Sequence, residues 1–160
     1  MIYTALISTF LSFFYVGPNG DYAVLLPTGT SLMQVDTLTN GELNSVFLAH
    51  HEQAQFDYSL SFVVVSTEGQ ELLSEETVRQ YERECQCLVR STASVSFLHF
   101  SGVRYQISKV VENTSLDGYV YISNIEKGKS INVVGITFEG KEDSMKSEID
   151  LVLDNLILNF

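Results

Sequence analysis

The sequence is poor in several residue types, and each shortage argues against a class of protein. It has no Trp, and only two Pro stand beside ten Gly, so there is no proline-rich, collagen-like or aromatic-cage pattern. Nine Lys and Arg face 20 Asp and Glu, which gives a net charge of −11. A charge of this sign repels phosphate backbones and anionic lipid surfaces. We therefore expect no nucleic-acid partner.

Cysteine is equally scarce, since Cys85 and Cys87 are the only two. Two cysteines are too few for a disulfide framework, and one intervening residue leaves them too close for an ordinary disulfide. On a helix the two positions lie about 200° apart around the axis. The sequence therefore predicts one core cysteine and one surface thiol, and no metal site formed by the pair.

Long apolar runs are limited to Met1–Val16, which carries no charge. This run is shorter than the roughly 20 residues of a membrane span, no basic residue precedes it and no small-residue cleavage site follows it. Two interpretations stay open: a signal or anchor remnant, or a first structural element that covers the core.

We divide the chain into this apolar segment, 1–20, and a single α+β domain, 21–160. An extracytoplasmic or envelope-associated location is expected, with a cytoplasmic one as the alternative, and residues 1–16, if retained, would be the only membrane contact.

Hydrophobic periodicity is clear in the rest of the chain, where 160 residues with 45% hydrophobic content suffice for one core. A period of two predicts strands, and a period of 3.6 predicts helices. The predicted strands are 22–26, 56–64, 95–100, 103–109, 118–125 and 131–138, with a short edge strand at 157–160. The predicted helices are 74–89 and a closing helix from 143 or 144 to about 156. Gly102 is predicted to form the turn of the first hairpin, and residues 126–130 that of the second.

The order of these elements decides the fold class. Strands joined by short turns, with helices between groups of them, favour a largely antiparallel sheet covered by two main helices over a parallel doubly wound sheet. The hairpin formed by 118–125 and 131–138 is apolar on both faces, which predicts a place at the centre of the sheet.

Catalytic chemistry has no recognisable motif in this sequence. His50-His51-Glu52 lacks the one-turn spacing that lets two imidazoles reach one metal, and adjacent residues of a strand point to opposite faces. No nucleophile elbow, phosphate-binding loop or dinucleotide fingerprint is present. We therefore expect no catalytic residue, no cofactor and no metal, although a site assembled in space, as in a small hydrolase, would escape this search.

Two tyrosines are the candidate contact residues for a protein partner. Tyr119 and Tyr121 share one face of a predicted strand, and an open face would make them an adhesive patch. The alternative is burial beneath a helix, because an amphipathic helix must cover some face of the sheet.

Three predicted elements follow one another in a recognisable order. The first is a strand followed by proline, Tyr22-Ala23-Val24-Leu25-Leu26-Pro27. The second is a helix before the central hairpins, and the third is a closing helix, 147–156, that leads into a final strand. This order resembles the PsbP and Mog1 group of folds, which includes small bacterial lipoprotein-like families. The resemblance covers about residues 21–160 and implies an α/β/α sandwich and a non-catalytic accessory role. No site residue is transferred by it.

The resulting expectation is a non-catalytic accessory or protein-binding domain that docks a partner through a sheet edge or a helix face. The alternative is an acidic dimer that resembles secretion chaperones and holds a protein client.

Overall fold

A computed structural model describes residues 13–16, 22–27, 29–39, 43–51, 56–63, 71–125, 129–138 and 140–158. For 31–39, 43–51 and 56–63 it describes the course and pairing of the backbone. Across these ranges the chain forms ten strands and two helices. They are β1 (Phe13–Val16), β2 (Tyr22–Leu26), β3 (Thr30–Thr39), β4 (Leu43–His51), β5 (Phe56–Val63), α1 (Glu75–Cys85), β6 (Leu88–Ser96), β7 (Ser101–Val111), β8 (Thr114–Ile125), β9 (Lys129–Phe138), α2 (Glu142–Asp154) and β10 (Ile157–Leu158).

Seven strands form one antiparallel sheet in the order β3-β4-β5-β9-β8-β7-β6. Strand β9 is the middle strand and β8 is its neighbour, with Val120 opposite Val134. The prediction of a central hairpin that is covered on both faces is therefore confirmed. The β7–β8 hairpin closes through Glu112 and Asn113, which both have positive φ, as a two-residue turn of this kind requires.

Helix α2 covers one face of the seven-stranded sheet. Met145, Ile149, Val152 and Leu153 on this helix are fully buried, as the 3.6-residue period predicts. They form one apolar cluster with side chains of β2, β8 and β9. The helix can approach β9 because Gly135 has no side chain there: a Cβ would lie 2.7 Å from Ile149 Cδ1 and 2.8 Å from Met145 Sδ.

Helix α1 lies on the opposite face, against β7 and β8. Val78 and Tyr81 pack on a second apolar cluster built around Val103, Tyr105 and Val120. The Tyr81 and Tyr105 rings meet edge to face, with centroids 5.4 Å apart. The sheet is thus enclosed between α1 and α2, which is the predicted α/β/α arrangement.

A small three-stranded sheet in the order β1-β2-β10 adds to the α2 side. Strand β10 pairs with Tyr22 and Ala23 and confirms the predicted C-terminal edge strand, and β2 confirms the strand predicted before Pro27. Strand β1 uses the last four residues of the apolar Met1–Val16 run and pairs with β2. The fold therefore includes part of the predicted segment 1–20.

Helix α1 ends earlier than predicted. Ser74 caps its start, since the serine Oγ accepts a hydrogen bond from Thr77 N at 3.2 Å. Its end is Cys85, because Gln86 adopts a left-handed conformation (φ 53°, ψ 45°) and its N–H bonds back to Glu82 O. The predicted continuation to Val89 is therefore wrong, and Leu88 begins strand β6.

Two further expectations about the first hairpin need correction. Strand β6 runs from Leu88 to Ser96, so the predicted strand at 95–100 covers only its end. The chain reverses at 97–100, where Phe97 N donates to Phe100 O at 2.8 Å. Gly102 does not make this turn: it lies in β7, opposite Val95. The hairpin itself is confirmed. Strands β3 and β4 were not predicted.

Candidate functional site

The two tyrosines predicted as contact residues lie under α2. Tyr119 is 6% exposed and Tyr121 is 3% exposed, so the alternative of burial beneath a helix is the arrangement observed. The open face that a tyrosine contact patch requires is covered. These residues therefore contribute to packing within the chain.

A polar cluster surrounds the two rings and ties α2 to the sheet. Tyr121 Oη donates to Asp150 Oδ1 at 2.7 Å, and Lys146 Nζ donates to Asp150 Oδ2 at 2.8 Å. The Arg104 guanidinium lies 3.7 Å from the same carboxylate and within 6 Å of the centroids of both tyrosine rings, at 5.7 and 5.8 Å. Arg104 and Lys146 both pair with the Asp150 carboxylate, so the cluster fixes the position of α2 on the sheet.

The electrostatics of these tyrosines agree with a structural role. Burial raises the pKa of Tyr121, and the hydrogen bond to Asp150 raises it further, while Arg104 opposes the shift. Burial also raises the pKa of Tyr119, helped by the charge of Asp143. Both phenols therefore stay protonated at neutral pH and act as neutral groups.

The histidines do not form a described site. His50 and His51 lie at the end of β4, opposite Ser31 and Thr30, and their side chains lie outside the described part of the structure. His99 is exposed in the turn between β6 and β7. Among the side chains that are described, no three His, Cys, Asp or Glu lie close enough together to hold a metal ion.

A groove opens at the other side of the molecule, where α1 ends and β6 begins. We call it the β6 groove, with an accessible volume of about 360 Å³. It is built from the ends of three neighbouring strands and the α1–β6 connection. Its lining residues are Gln86, Cys87, Leu88, Arg90, Ser108, Lys109, Val110 and Ser115.

The β6 groove combines an apolar wall with positive charge. Leu88 is 59% exposed and Val110 is 71% exposed, and both line the groove. Arg90 and Lys109 add two of the nine basic residues in the sequence. Against a net charge of −11, this surface suits an extended ligand with both apolar and acidic groups.

The two basic side chains are fixed in different ways. Arg90 lies 3.5 Å from Oδ1 of the buried Asp117, so part of its charge is balanced. Lys109 Nζ donates to the backbone oxygen of Cys85 at 2.7 Å, a neutral acceptor that leaves its charge uncompensated at this contact.

Cys85 and Cys87 form a disulfide at the rim of this groove. The prediction of one core cysteine and one surface thiol is therefore wrong. The reason is the left-handed conformation of Gln86, which ends the helix between the two cysteines and changes the direction of the chain there. The two Cα atoms lie 5.3 Å apart, within the range for a disulfide. The prediction relied on the angle of about 200° between the two positions around a regular helix, and that helix ends at Cys85.

Strand β6 forms the outer border of the groove and an edge of the sheet. It lies at the end of the strand order, and within the described residues no strand pairs with its outer side. Its nine residues contain one charge, Arg90, and no proline. Natural edge strands are usually protected by charges, proline or bulges, and β6 has one charge, Arg90, within one bulge between Val89 and Ser91, which leaves 91–96 without such protection. Sequence reasoning missed this site because the groove depends on which strands are neighbours.

The comparisons with known proteins agree at the level of fold. No family model matches this chain, and no curated protein matches it. A solution structure of cyanobacterial PsbP from Synechocystis sp. PCC 6803 matches with a TM-score of 0.62 and 13% identity, over 92% of both chains. A protein of unknown function from Pseudomonas aeruginosa matches with a TM-score of 0.53 and 10% identity, over 93% of this chain and 98% of that one.

A crystal structure from Bacteroides thetaiotaomicron also has a TM-score of 0.62 and 13% identity, and there the chain spans 49% of the length of that protein. At these identities the matches establish the fold alone. The chain has a PsbP-like α+β fold, as the order of its elements predicted. No helix among the described residues is long and apolar enough to cross a membrane.

Proposed function

We propose that this protein is a non-catalytic accessory domain that binds an extended segment of a partner protein along the outer edge of β6. The observation that carries this proposal is the nine-residue outer edge of β6 beside the β6 groove, with which none of the described strands pairs. An extended peptide can add to such an edge through backbone hydrogen bonds and place alternate side chains in a neighbouring depression.

The groove specifies the chemistry of the partner segment. Exposed Leu88 and Val110 favour an apolar side chain, and Arg90 and Lys109 favour an acidic one. Backbone hydrogen bonds along the edge of β6 supply affinity, whereas the side chains of the β6 groove determine which partner sequences bind. A segment that alternates apolar and acidic residues meets both requirements.

The edge of β6 is testable by site-specific crosslinking in the native host. A photo-crosslinking residue at exposed Ser94 is expected to capture a partner, with the crosslink mapped by mass spectrometry to an extended, acidic segment. The same residue at exposed Leu151 on α2 serves as the control and is expected to give none. Crosslinks of equal yield from both positions, or from Ser94 to a second copy of the chain alone, would contradict the proposal.

A charge-matched pair of variants separates the edge from general charge effects. Thr92→Lys combined with Ser94→Lys places two lysines on the exposed edge of β6 and should abolish the partner crosslink, because edge lysines block strand addition. Ser144→Lys combined with Ser147→Lys adds the same charge to the exposed side of α2 and should leave it intact. Far-ultraviolet circular dichroism checks that both variants fold.

An extracytoplasmic location is the second part of the proposal. The Cys85–Cys87 disulfide supports it, since disulfides persist mainly in oxidising compartments. The apolar, uncharged run that precedes β1 is also consistent with an export signal. Because Phe13 already belongs to the fold, any cleavage should occur before it. Intact-mass measurement of the protein from its native host tests this: removal of residues that precede Phe13 is expected, and an unprocessed chain with a fully reduced cysteine pair in freshly quenched cells would contradict the proposal.

A further inference from the structure

The Cys85–Cys87 disulfide is poorly placed to act as a stabilising cross-link. It closes a loop of three residues, and the stabilisation that a disulfide gives through the unfolded chain decreases as the loop shortens. For so short a loop the expected stabilisation is roughly half of that for a 15-residue loop. It also joins no two elements across the core, since α1 and β6 are already consecutive.

The surroundings of the disulfide make it accessible from the surface. Both cysteines are partly exposed, and Cys87 lines the β6 groove. A groove of about 360 Å³ has room for a small organic molecule next to the Cys87 sulfur. Ser108 and Ser115 place two hydroxyl groups in the same lining, which can bind carboxylate or amide groups.

The charged side chains near the disulfide determine which kind of small molecule the β6 groove favours. Glu82 and Glu84 lie on α1 close to the disulfide, but Glu82 Oε1 already accepts a hydrogen bond from Val89 N at 2.9 Å. Lys109, held against the Cys85 carbonyl, and Arg90 both line the groove itself. The groove therefore presents positive charge to an approaching molecule on an otherwise acidic protein.

We propose that Cys85 and Cys87 form a thiol–disulfide exchange site for small anionic thiols of the glutathione class. The inference concerns the disulfide and its groove, and it does not rest on partner binding. The carboxylates of the thiol compound would lie against Lys109 and Arg90, with its sulfur directed at Cys87 Sγ.

The exchange proceeds in two balanced steps. The thiolate of the small molecule attacks Cys87 Sγ, a mixed disulfide forms, and the electron pair of the broken S–S bond passes to Cys85 Sγ, which takes up a proton from water. A second thiolate then attacks the sulfur of the bound small molecule, releasing its oxidised disulfide and a Cys87 thiolate that is protonated in turn. Two small thiols are oxidised and one protein disulfide is reduced. The reverse reaction with the oxidised small molecule restores the disulfide.

Reduction also has a structural consequence at the end of α1. The bridge helps to hold the left-handed Gln86 connection, which has no glycine to favour that conformation. Opening the bridge should loosen the last turn of α1 and the start of β6.

The test compares two small thiols on the oxidised full-length protein. Reduction is followed by quenching, thiol labelling and mass spectrometry, with glutathione as the anionic probe and cysteamine as the cationic one, each rate divided by the thiolate concentration. We expect the glutathione-to-cysteamine rate ratio to fall by about threefold to tenfold in Lys109→Gln, since one nearby charge is removed. Arg90→Gln should have a smaller effect, and Arg79→Gln, which removes an exposed charge on α1 that pairs with Glu75, should have none.

Two measurements on the wild-type protein test the same exchange site without any variant. In the wild-type protein the rate ratio should approach that of a free disulfide peptide at high salt, because screening weakens surface charge interactions. Peptide mapping of the trapped intermediate should place glutathione on Cys87. An unchanged ratio in Lys109→Gln and at high salt, an adduct confined to Cys85, or cysteines that stay reduced under an oxidised glutathione buffer would each overturn the proposal.

Discussion

The two helices cover opposite faces of the same sheet and differ in how firmly they are held. Helix α2 has four fully buried side chains, whereas none of the eleven residues of α1 is fully buried. Helix α2 also packs against both sheets, through β2 on one side and through β8 and β9 on the other. Burial of apolar surface is the dominant stabilising term in folding. The α2 side is therefore expected to carry most of the stability.

Helix α1 is held by directional contacts in place of deep burial. Tyr105 Oη donates to Leu72 O just before the helix, Lys109 Nζ donates to Cys85 O at its end, and Glu82 Oε1 accepts from Val89 N of β6. Such contacts fix a position but contribute modest net stability, about 1 kcal/mol each. The α2 side therefore forms the scaffold, and the end of α1, next to the β6 groove, is held less firmly.

The largest predicted difference concerns a matched pair of apolar truncations. Leu153→Ala on α2 should lower the free energy of unfolding by about 2 to 5 kcal/mol, because it leaves a cavity in a closed core. Val78→Ala on α1 should cost about 1 kcal/mol, since its side chain is only half-buried and its surroundings can relax. Urea denaturation measures both values. An equal loss of unfolding free energy in Leu153→Ala and Val78→Ala would show that α2 is held no more firmly than α1.

Alkaline pH should weaken the α1 side through Tyr81. Burial, together with the nearby Tyr105 and Glu84, raises the pKa of Tyr81 to about 12 from an ordinary value of 10. The unfolded state therefore loses this proton first, and stability that is complete below pH 10 declines as the pH rises towards 12. Because the ring is only partly buried, we expect this group to account for about 1 to 2 kcal/mol. Stability measured from pH 9 to 12 should fall less steeply in Tyr81→Phe; identical slopes would contradict the assignment.

Removing one hydrogen bond between α2 and the sheet should lower the free energy of unfolding by a smaller amount. Tyr121→Phe deletes the hydrogen bond to Asp150 but leaves the ring in place and the carboxylate paired with Lys146 and Arg104. The expected loss is about 1 kcal/mol, measured by denaturation. As a control, Arg79→Gln removes an exposed ion pair and should change stability by less than about 0.5 kcal/mol. A loss above that of Leu153→Ala would show that the polar cluster, and not apolar burial, holds α2.

The smallest predicted effect is at the start of α1. Ser74→Ala removes the side chain that caps Thr77 N and should cost about 0.5 to 1 kcal/mol. Ser147 on α2 bonds back to Asp143 O within the helix, so Ser147→Ala should be neutral or slightly stabilising. Thermal unfolding of the two variants separates a capping serine from a mid-helix serine. Equal shifts would show that capping does not limit the stability of α1.

The well-predicted elements are those whose periodicity is uninterrupted. Helix α2 and the β8–β9 hairpin have continuous patterns over ten or more residues, and their burial follows those patterns. Strand β3 was missed because a bulge between Leu32 and Gln34 shifts the alternation by one residue, and β4 was missed because its residues 46–49 form a continuous apolar run without alternation. The Asn40-Gly41 dipeptide between the two strands is a typical hairpin signal and could have revealed them.

The candidate site could not be predicted to the same extent. A sheet edge or a helix face was expected to dock a partner, and the proposal of β6 as that edge rests on the order of strands in space. The disulfide depends on a left-handed Gln86, a conformation for which glycine is the usual signal. The apolar residues Leu88 and Val110 fit the pattern of their strands, and their exposure depends on which elements cover that end of the sheet in space.

Native-state hydrogen exchange of the oxidised and reduced protein tests the difference between the two sides most directly. In the oxidised protein the amides of α2 should exchange only through global unfolding, and those of α1 through local openings of lower free energy. Reduction should speed exchange in the last turn of α1 and the first residues of β6 and leave α2 unchanged. Equal opening free energies for the two helices, or a reduction effect that extends equally to α2, would contradict the account.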